Sequence, residues 1–277
     1  MREFELEVGG RVVHCYDRES GDLPVIWHHG TPNVGEPPQP LFDAADRLGL
    51  RWVSFDRPGY GGSTPDPGRS VGSVGRLVAA LADALSLDRF AMMGHSGGSS
   101  HALAAGAALP ERTAAVVSVA ALAPIDAAGL DWYAGMGEPG AAGLRAAEAG
   151  RPAKVAFELG LPEDAMPAFT EADLGMFGGP WRWLPAVAGR GLANGPDPLI
   201  DDDLAYVQPW QVELSRLTAP VLLCHGGQDL IAPPAHSQWL AGALPAAELR
   251  LQPEDGHISV LRTAESALEW VRGQVSG

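Results

Sequence analysis

The sequence predicts an α/β protein: a mostly parallel central sheet flanked by helices, with a helical insertion at the carboxyl ends of its strands. Three observations carry that expectation. Short apolar runs alternate with helical periodicity along most of the chain, a strand–turn–helix signature lies around residue 96, and the alternation stops over residues 122–214 before it resumes. Alternating strands and helices imply parallel pairing with helices on both faces, and ligands then bind beyond the strands' carboxyl ends.

Residues 4–16 alternate apolar and polar (Phe4, Leu6, Val8, then Val12, Val13, Tyr16) around Gly9-Gly10, the pattern of a hairpin at a sheet edge. Pro24–His28 and Trp52–Phe55 are short apolar runs that fit buried strands, and Leu41, Ala44, Ala45 and Leu48 recur between them at helical spacing. Val74, Leu77, Val78, Leu81 and Leu85 mark one face of the next helix, with Ser70 or Ser73 as its N-cap. Phe90–Met93 is a buried strand entering a turn, Ala102–Ala108 is small-residue helix beyond it, and Ala114–Ala120 fits a strand buried on both faces. Sheet grammar returns at Ala219–Cys224, followed by a helix over 234–244, a strand around Leu249–Leu251 and a closing helix over 259–275.

These boundaries imply one core domain, residues 1–121 and 215–277, and a cap over 122–214 that is rich in Gly, Pro, Ala and aromatics. Asp201-Asp202-Asp203 inside the cap reads as a solvated loop or helix start, not a metal site. At 277 residues the chain can bury a substantial core. Its 34 acidic against 19 basic residues give a net charge of −15, which makes nucleic acid and anionic membranes poor partners. No apolar run approaches the roughly 18 residues of a membrane span. Met1–Glu5 lacks the features of a secretory signal. The expectation is a soluble cytoplasmic protein, monomer or homodimer, acting on a small molecule. Cys15 and Cys224, the two cysteines, lie in strand-like stretches as small buried thiols. Neither H-E-x-x-H nor C-x-x-C occurs, so no metal is expected.

Gly94-His95-Ser96-Gly97-Gly98 has the composition of a nucleophile elbow, where a serine sits at a strained turn between a strand and a helix that pass close together. Ser96 is therefore the candidate nucleophile. The helix beyond it would aim free N–H groups at a developing oxyanion, Gly97 supplying one donor. A serine hydroxyl is weak until a neutral imidazole takes its proton, and that imidazole needs a carboxylate to fix its tautomer. Of eight histidines, His257 lies in a loop between the last strand and the last helix, at the sheet end where the elbow opens. His95 is too near its neighbour, His28 and His29 suit pocket or loop roles, His101 and His225 suit packing, and His14 and His236 lack context. Asp229, after the strand ending at Cys224, completes the order Ser…Asp…His. Asp126 is its rival, because the loop after Ala120 opens over the same site, whereas Asp255 would point away from His257. Thr31, in the loop His29-Gly30-Thr31-Pro32, is the candidate second oxyanion donor, since Pro32 has no N–H. Trp132, Trp181 and Trp183 either line an acyl pocket or fill the core of the cap.

Taken together, His29-Gly30-Thr31, Asp56-Arg57-Pro58-Gly59-Tyr60-Gly61-Gly62-Ser63, the elbow, Gly227-Gln228-Asp229 and Asp255-Gly256-His257 resemble the α/β-hydrolase superfamily. The resemblance implies Ser-His-Asp acyl transfer, a lid after the sixth strand and no cofactor. Related dehalogenases and epoxide hydrolases carry aspartate where this chain has Ser96, and proline iminopeptidases show His-Gly-Gly-Pro-Gly where it has His29-Gly30-Thr31-Pro32-Asn33. An esterase-like hydrolase acting on a carboxylic ester or related acyl compound is the resulting expectation. Thioester, carbon–carbon, perhydrolysis or cyclisation chemistry with the same triad is the second, and a non-catalytic ligand-binding protein on the same fold the third.

Overall fold

A parallel strand covered on both faces is mainly apolar on both, and the central strands of this protein meet that condition over most of their length. The computed structural model describes residues 1–162 and 165–275. In chain order it forms β1 (Arg2–Val8), β2 (Arg11–Asp17), β3 (Leu23–His28), α1 (Phe42–Leu48), β4 (Leu50–Phe55), α2 (Val74–Ala84), β5 (Phe90–His95), α3 (Gly97–Ala108) and β6 (Thr113–Val119). Five helices follow: α4 (Glu138–Glu148), α5 (Arg151–Leu159), α6 (Glu171–Met176), α7 (Trp183–Gly191) and α8 (Asp197–Tyr206). The chain then returns to the sheet with β7 (Val221–Gly226), α9 (Ala235–Ala243), β8 (Ala247–Gln252) and α10 (Ala264–Val275).

The strands make one eight-stranded sheet in the order β1-β2-β4-β3-β5-β6-β7-β8. The β1/β2 and β2/β4 pairs are antiparallel and the other five are parallel. Every residue of β5, β6 and β7 is buried. Alternate side chains serve opposite cores, as a period of two requires. Ile26, Met92, Val116 and Leu223 pack with α2 and α3, while Trp27, Met93, Val117 and Leu222 pack with α1 and α10. Fully burying one such aliphatic side chain is worth about 1.5–3 kcal/mol, so these paired layers fix the sheet that carries the site.

Local details refine the expected boundaries. Both candidate serines hold cap positions: Ser70 caps a 3₁₀ turn that precedes α2, its hydroxyl accepting from the Ser73 N–H at 3.2 Å, and Ser73 holds the N-cap position of α2 without a side-chain bond. The closing segment is a 3₁₀ helix, Ser259–Thr263, followed by α10. Between β6 and β7 the described residues form helices and no strand. The Asp201-Asp202-Asp203 run departs from its expected place, since it lies within α8 with Asp201 4 % and Asp202 0 % exposed. The reason is cationic partners: Asp201 pairs with Arg69 and Arg151, Asp202 with Arg57 and Arg69, and Asp203 with Lys154. Cys15 and Cys224 are buried free thiols. Among the described residues no helix is long and apolar enough to cross a membrane, and no group of three His, Cys, Asp or Glu could hold a metal ion.

Candidate active site

The elbow forms because two glycines let backbone meet backbone. A Cβ on Gly94 would strike the carbonyl of Gly98, and one on Gly98 would strike the carbonyl of His28, so strand and helix cross only with hydrogen at both positions. Ser96 between them holds φ 58° and ψ −133°, a left-handed conformation that costs a non-glycine residue about 1–3 kcal/mol. Its N–H is tied to Val119 O at 2.8 Å and its carbonyl accepts from Ser99 N at 2.9 Å, which holds the turn against that strain. The side chain is left part-exposed at the tip.

Loops from the ends of β7 and β8 bring the expected partners together. The Ser96 hydroxyl lies 2.8 Å from His257 Nε2, and His257 Nδ1 lies 2.7 Å from Asp229 Oδ2. With the Nδ1 proton donated to the carboxylate, Nε2 is the lone pair that faces the serine. Asp229 Oδ1 accepts from the N–H groups of Ile231 and Ala232 at 2.8 and 2.9 Å. Burial pushes the Asp229 carboxyl up, but the neighbouring His257 and His225 outweigh it and hold the group below the ordinary carboxylate range. Asp126 is elsewhere. It is exposed beside a surface groove of about 860 Å³ with Ala108, Trp210 and Trp239, at the C-terminal end of α3, whereas Ser96 precedes that helix's N-terminus. Asp255 turns away to accept from Arg262 at 2.8 Å.

Four other histidines have local duties. His95 lies 2.9 Å from the His257 carbonyl through Nε2, and burial followed by the nearby His257 charge lowers its pKa to about 3. His29 Nε2 accepts from Arg57 N at 2.9 Å while Nδ1 reaches Gly30 O at 2.8 Å, so it shapes the loop after β3. His225 bonds Ser237 and the Ala232 carbonyl, both at 2.6 Å. His236, which had no context in the sequence, accepts from Ala123 N at 3.1 Å and contacts Trp132 O at 3.0 Å.

Thr31 sits at the loop after β3 beside Gly97: a Cβ on Gly97 would lie 3.0 Å from Thr31 Oγ1 and would strike the Tyr206 hydroxyl. The Thr31 hydroxyl donates to Asp202 Oδ2 at 2.6 Å, which occupies its only proton and leaves the backbone N–H as the donor Thr31 can offer a substrate. Arg57 completes the loop, donating to the carbonyls of His29 and Gly30 and to Asp202 Oδ2 at 2.6 Å. Tyr60 and Arg69 also donate to Asp202, at 2.9 and 2.8 Å. Burial pushes the Asp202 carboxyl up, but the two guanidinium charges hold it well below its ordinary value. This network was not legible in the sequence; its signals were Arg57 and Tyr60 in the Asp56–Ser63 motif and a run of three aspartates bracketed by apolar Ile200 and Leu204.

The three candidate tryptophans are packed. Trp132 is 5 % exposed in the core on the α3 face, its indole N–H donating to Ala123 O at 2.9 Å. Trp181 and Trp183, 5 % and 6 % exposed, lie in the opposite core, where Trp183 donates to Glu36 at 3.1 Å. This is the core-filling placement that the sequence held open beside pocket lining.

A family model described as alpha/beta hydrolase fold matches residues 24–262. Over 251 residues the chain is 29 % identical to a non-heme chloroperoxidase of Streptomyces lividans, covering 84 % of this chain and 88 % of the relative. The fold is similar to that of an enol-lactonase from Burkholderia xenovorans, with a TM-score of 0.72, 19 % identity and coverage of 99 % and 100 % of the two chains. It is also similar to a thermophilic esterase from Thermogutta terrifontis, with a TM-score of 0.70, 20 % identity and coverage of 100 % and 98 %. With the family match spanning most of its length, the chain belongs to the α/β-hydrolase fold family and is an α/β-hydrolase enzyme.

Proposed function

We propose that the protein is a serine hydrolase that cleaves a carboxylic ester or related acyl substrate through an acyl-enzyme. The observation that carries the proposal is the unbroken chain from the Ser96 hydroxyl to His257 at 2.8 Å and on to Asp229 at 2.7 Å. Ser96 Oγ attacks the carbonyl carbon as His257 Nε2 takes its proton, and Asp229 stabilises the imidazolium that results. The oxyanion is held by the N–H groups of Gly97 and Thr31. His257 then gives the proton to the leaving alcohol, and water, deprotonated by the same imidazole, attacks the acyl-enzyme to release the acid and restore Ser96.

The test is hydrolysis of activated esters by wild type and Ser96→Ala, with fluorophosphonate labelling in parallel. The variant should lose about 10⁴- to 10⁶-fold in kcat and all labelling while keeping its fold. Near-normal turnover in Ser96→Ala overturns the proposal. Similarity to a chloroperoxidase favours a second reading, transfer of the acyl group to hydrogen peroxide in place of water. Peracid released from ester and peroxide, faster than free acid is released in water alone, would favour it.

A further inference from the structure

Besides Ser96, three residues hold His257, and one of them comes from the stretch between β6 and β7. Its ring is fixed by Asp229 and its carbonyl by His95. Its N–H donates to Oδ2 of Asp173, on α6, at 3.2 Å. The other oxygen of Asp173 accepts from the N–H groups of Ile258 and Ser259, both at 2.8 Å, and from the Ser259 hydroxyl at 3.0 Å. Asp173 is 1 % exposed, and among the described residues no Lys or Arg pairs with it.

The geometry answers a specific need of the chain. Ser259–Thr263 is a 3₁₀ helix, and the first N–H groups of any helix lack partners within it. A side chain at the N-cap ordinarily supplies them, but Ile258 holds that position and makes no side-chain cap bond. Asp173, 84 residues away from His257, fills the role. A Cβ at Gly256 would run into this carboxylate, so the chain leaves room for it. Asp173 is itself fixed by a capping box, accepting from Thr170 N at 3.0 Å while its own N–H bonds the Thr170 hydroxyl at 3.2 Å. Burial pushes its carboxyl up, but the backbone donors from Ser259, Thr170 and Ile258 outweigh that and keep it ionised.

We propose that Asp173 is a positioning residue for His257, a carboxylate of the helical insertion that sets the base against Ser96 from outside the base's own loop. The inference rests on the serine-hydrolase assignment for the meaning of that position. In Asp173→Asn an NH2 group replaces one carboxylate oxygen, so at least one of the buried N–H groups of 257–259 faces a donor in place of its acceptor, and the hold of α6 on the His257 loop is weakened. Displacements of about 1 Å in a base cost up to about 100-fold in rate, without weakening substrate binding in proportion.

The test compares full-length wild type, Asp173→Asn and, as a charge control on the exposed face of α6, Glu171→Gln. Expected for Asp173→Asn are a fall in kcat of about 10- to 100-fold, KM within about twofold of wild type, an equal fall in the rate of fluorophosphonate labelling, and faster hydrogen exchange at the amides of 257–259. Glu171→Gln should match wild type. A folded Asp173→Asn protein with wild-type kcat, labelling and exchange overturns the inference while leaving the triad intact. A wild type that is never labelled, with an equally active Ser96→Ala, sinks the serine-hydrolase assignment instead. Should Asp173→Asn not fold, Ser259→Ala removes one of the same bonds from the loop side and should lower kcat about three- to tenfold at constant KM. Unchanged kcat in that variant overturns the inference as well.

Discussion

The Thr31 hydroxyl donates to the carboxylate of Asp202 at 2.6 Å, so the loop that follows β3 is bonded directly to helix α8. The same carboxylate is the meeting point of Arg57, Tyr60 and Arg69. Asp202→Ala leaves two buried guanidinium groups without their main counter-charge, and breaking a buried pair this way typically costs about 3–5 kcal/mol. Urea unfolding should show that loss, and kcat should fall with it because Thr31 loses its tether. A stability within about 1 kcal/mol of wild type would mean that water takes over from the carboxylate.

The choice between two acids can be read from kinetics. Asp229→Asn keeps the shape but favours the wrong imidazole tautomer, and kcat should fall about 10⁴-fold. Asp126→Asn, at the groove beyond the other end of α3, should leave kcat unchanged. The reverse order would reassign the acid.

Gly97 has no room for a methyl group. Its Cβ would lie 2.7 Å from Tyr206 Cζ as well as striking the hydroxyl, so Gly97→Ala must displace α8 or the elbow. Overpacking of this kind costs about 1–3 kcal/mol, and ester turnover should drop with it. Adding Tyr206→Phe should recover part of the loss only, because the ring carbon is still in the way. Full recovery would show that the hydroxyl alone makes the conflict.

Mild acid should destabilise the fold through its buried histidines. Burial, with neighbouring charge, lowers His95 and His101 to about 3 and His236 to about 4, whereas the unfolded chain binds these protons near 6.5. Because the folded values are the lower ones, this stability is fully present above about pH 6.5 and is lost as pH falls toward 4. Unfolding free energies measured in urea between pH 7 and 4 should decline steadily; a flat profile is incompatible with these three groups staying neutral in the fold.

Asp203 works in the opposite sense. Burial, only partly offset by Lys154, pushes its carboxyl up to about 6, so between about pH 4 and 6 the fold keeps a proton that the unfolded chain has released. Its contribution is largest at low pH and is lost as pH rises through 6. Wild type should therefore gain stability relative to Asp203→Asn on going from pH 7 to pH 4. Melting temperatures of the two proteins across that range provide the check.

The strands and the order of Ser96, Asp229 and His257 were legible because each is a local signal: a short apolar run, then a polar loop at the end where parallel strands must open. Element boundaries needed only small adjustment for the same reason. The Asp201–Asp203 run was not legible. Successive residues on a helix are about 100° apart, so three aspartates sweep some 200° of its surface. They therefore meet three different sets of cations, Arg69 with Arg151, Arg57 with Arg69, and Lys154, that are distant in the chain. Composition recorded a charge excess and could not say which carboxylates were compensated. Asp173 was hidden likewise, since its partners, the Ser259 hydroxyl apart, are backbone N–H groups, which carry no residue-type signature.

One consequence of the Asp173 and Asp202 contacts concerns how such a protein can diversify. If the stretch joining β6 to β7 were a detachable cover, a foreign version could be spliced in to change substrate range at no cost to the chemistry below. Here a transplant lacking either carboxylate would remove an acceptor from the Thr31 hydroxyl or from the amides of 257–259. Chimaeras should succeed only when those two anchoring groups travel with the graft, so selectivity and reactivity in this chain are inherited together.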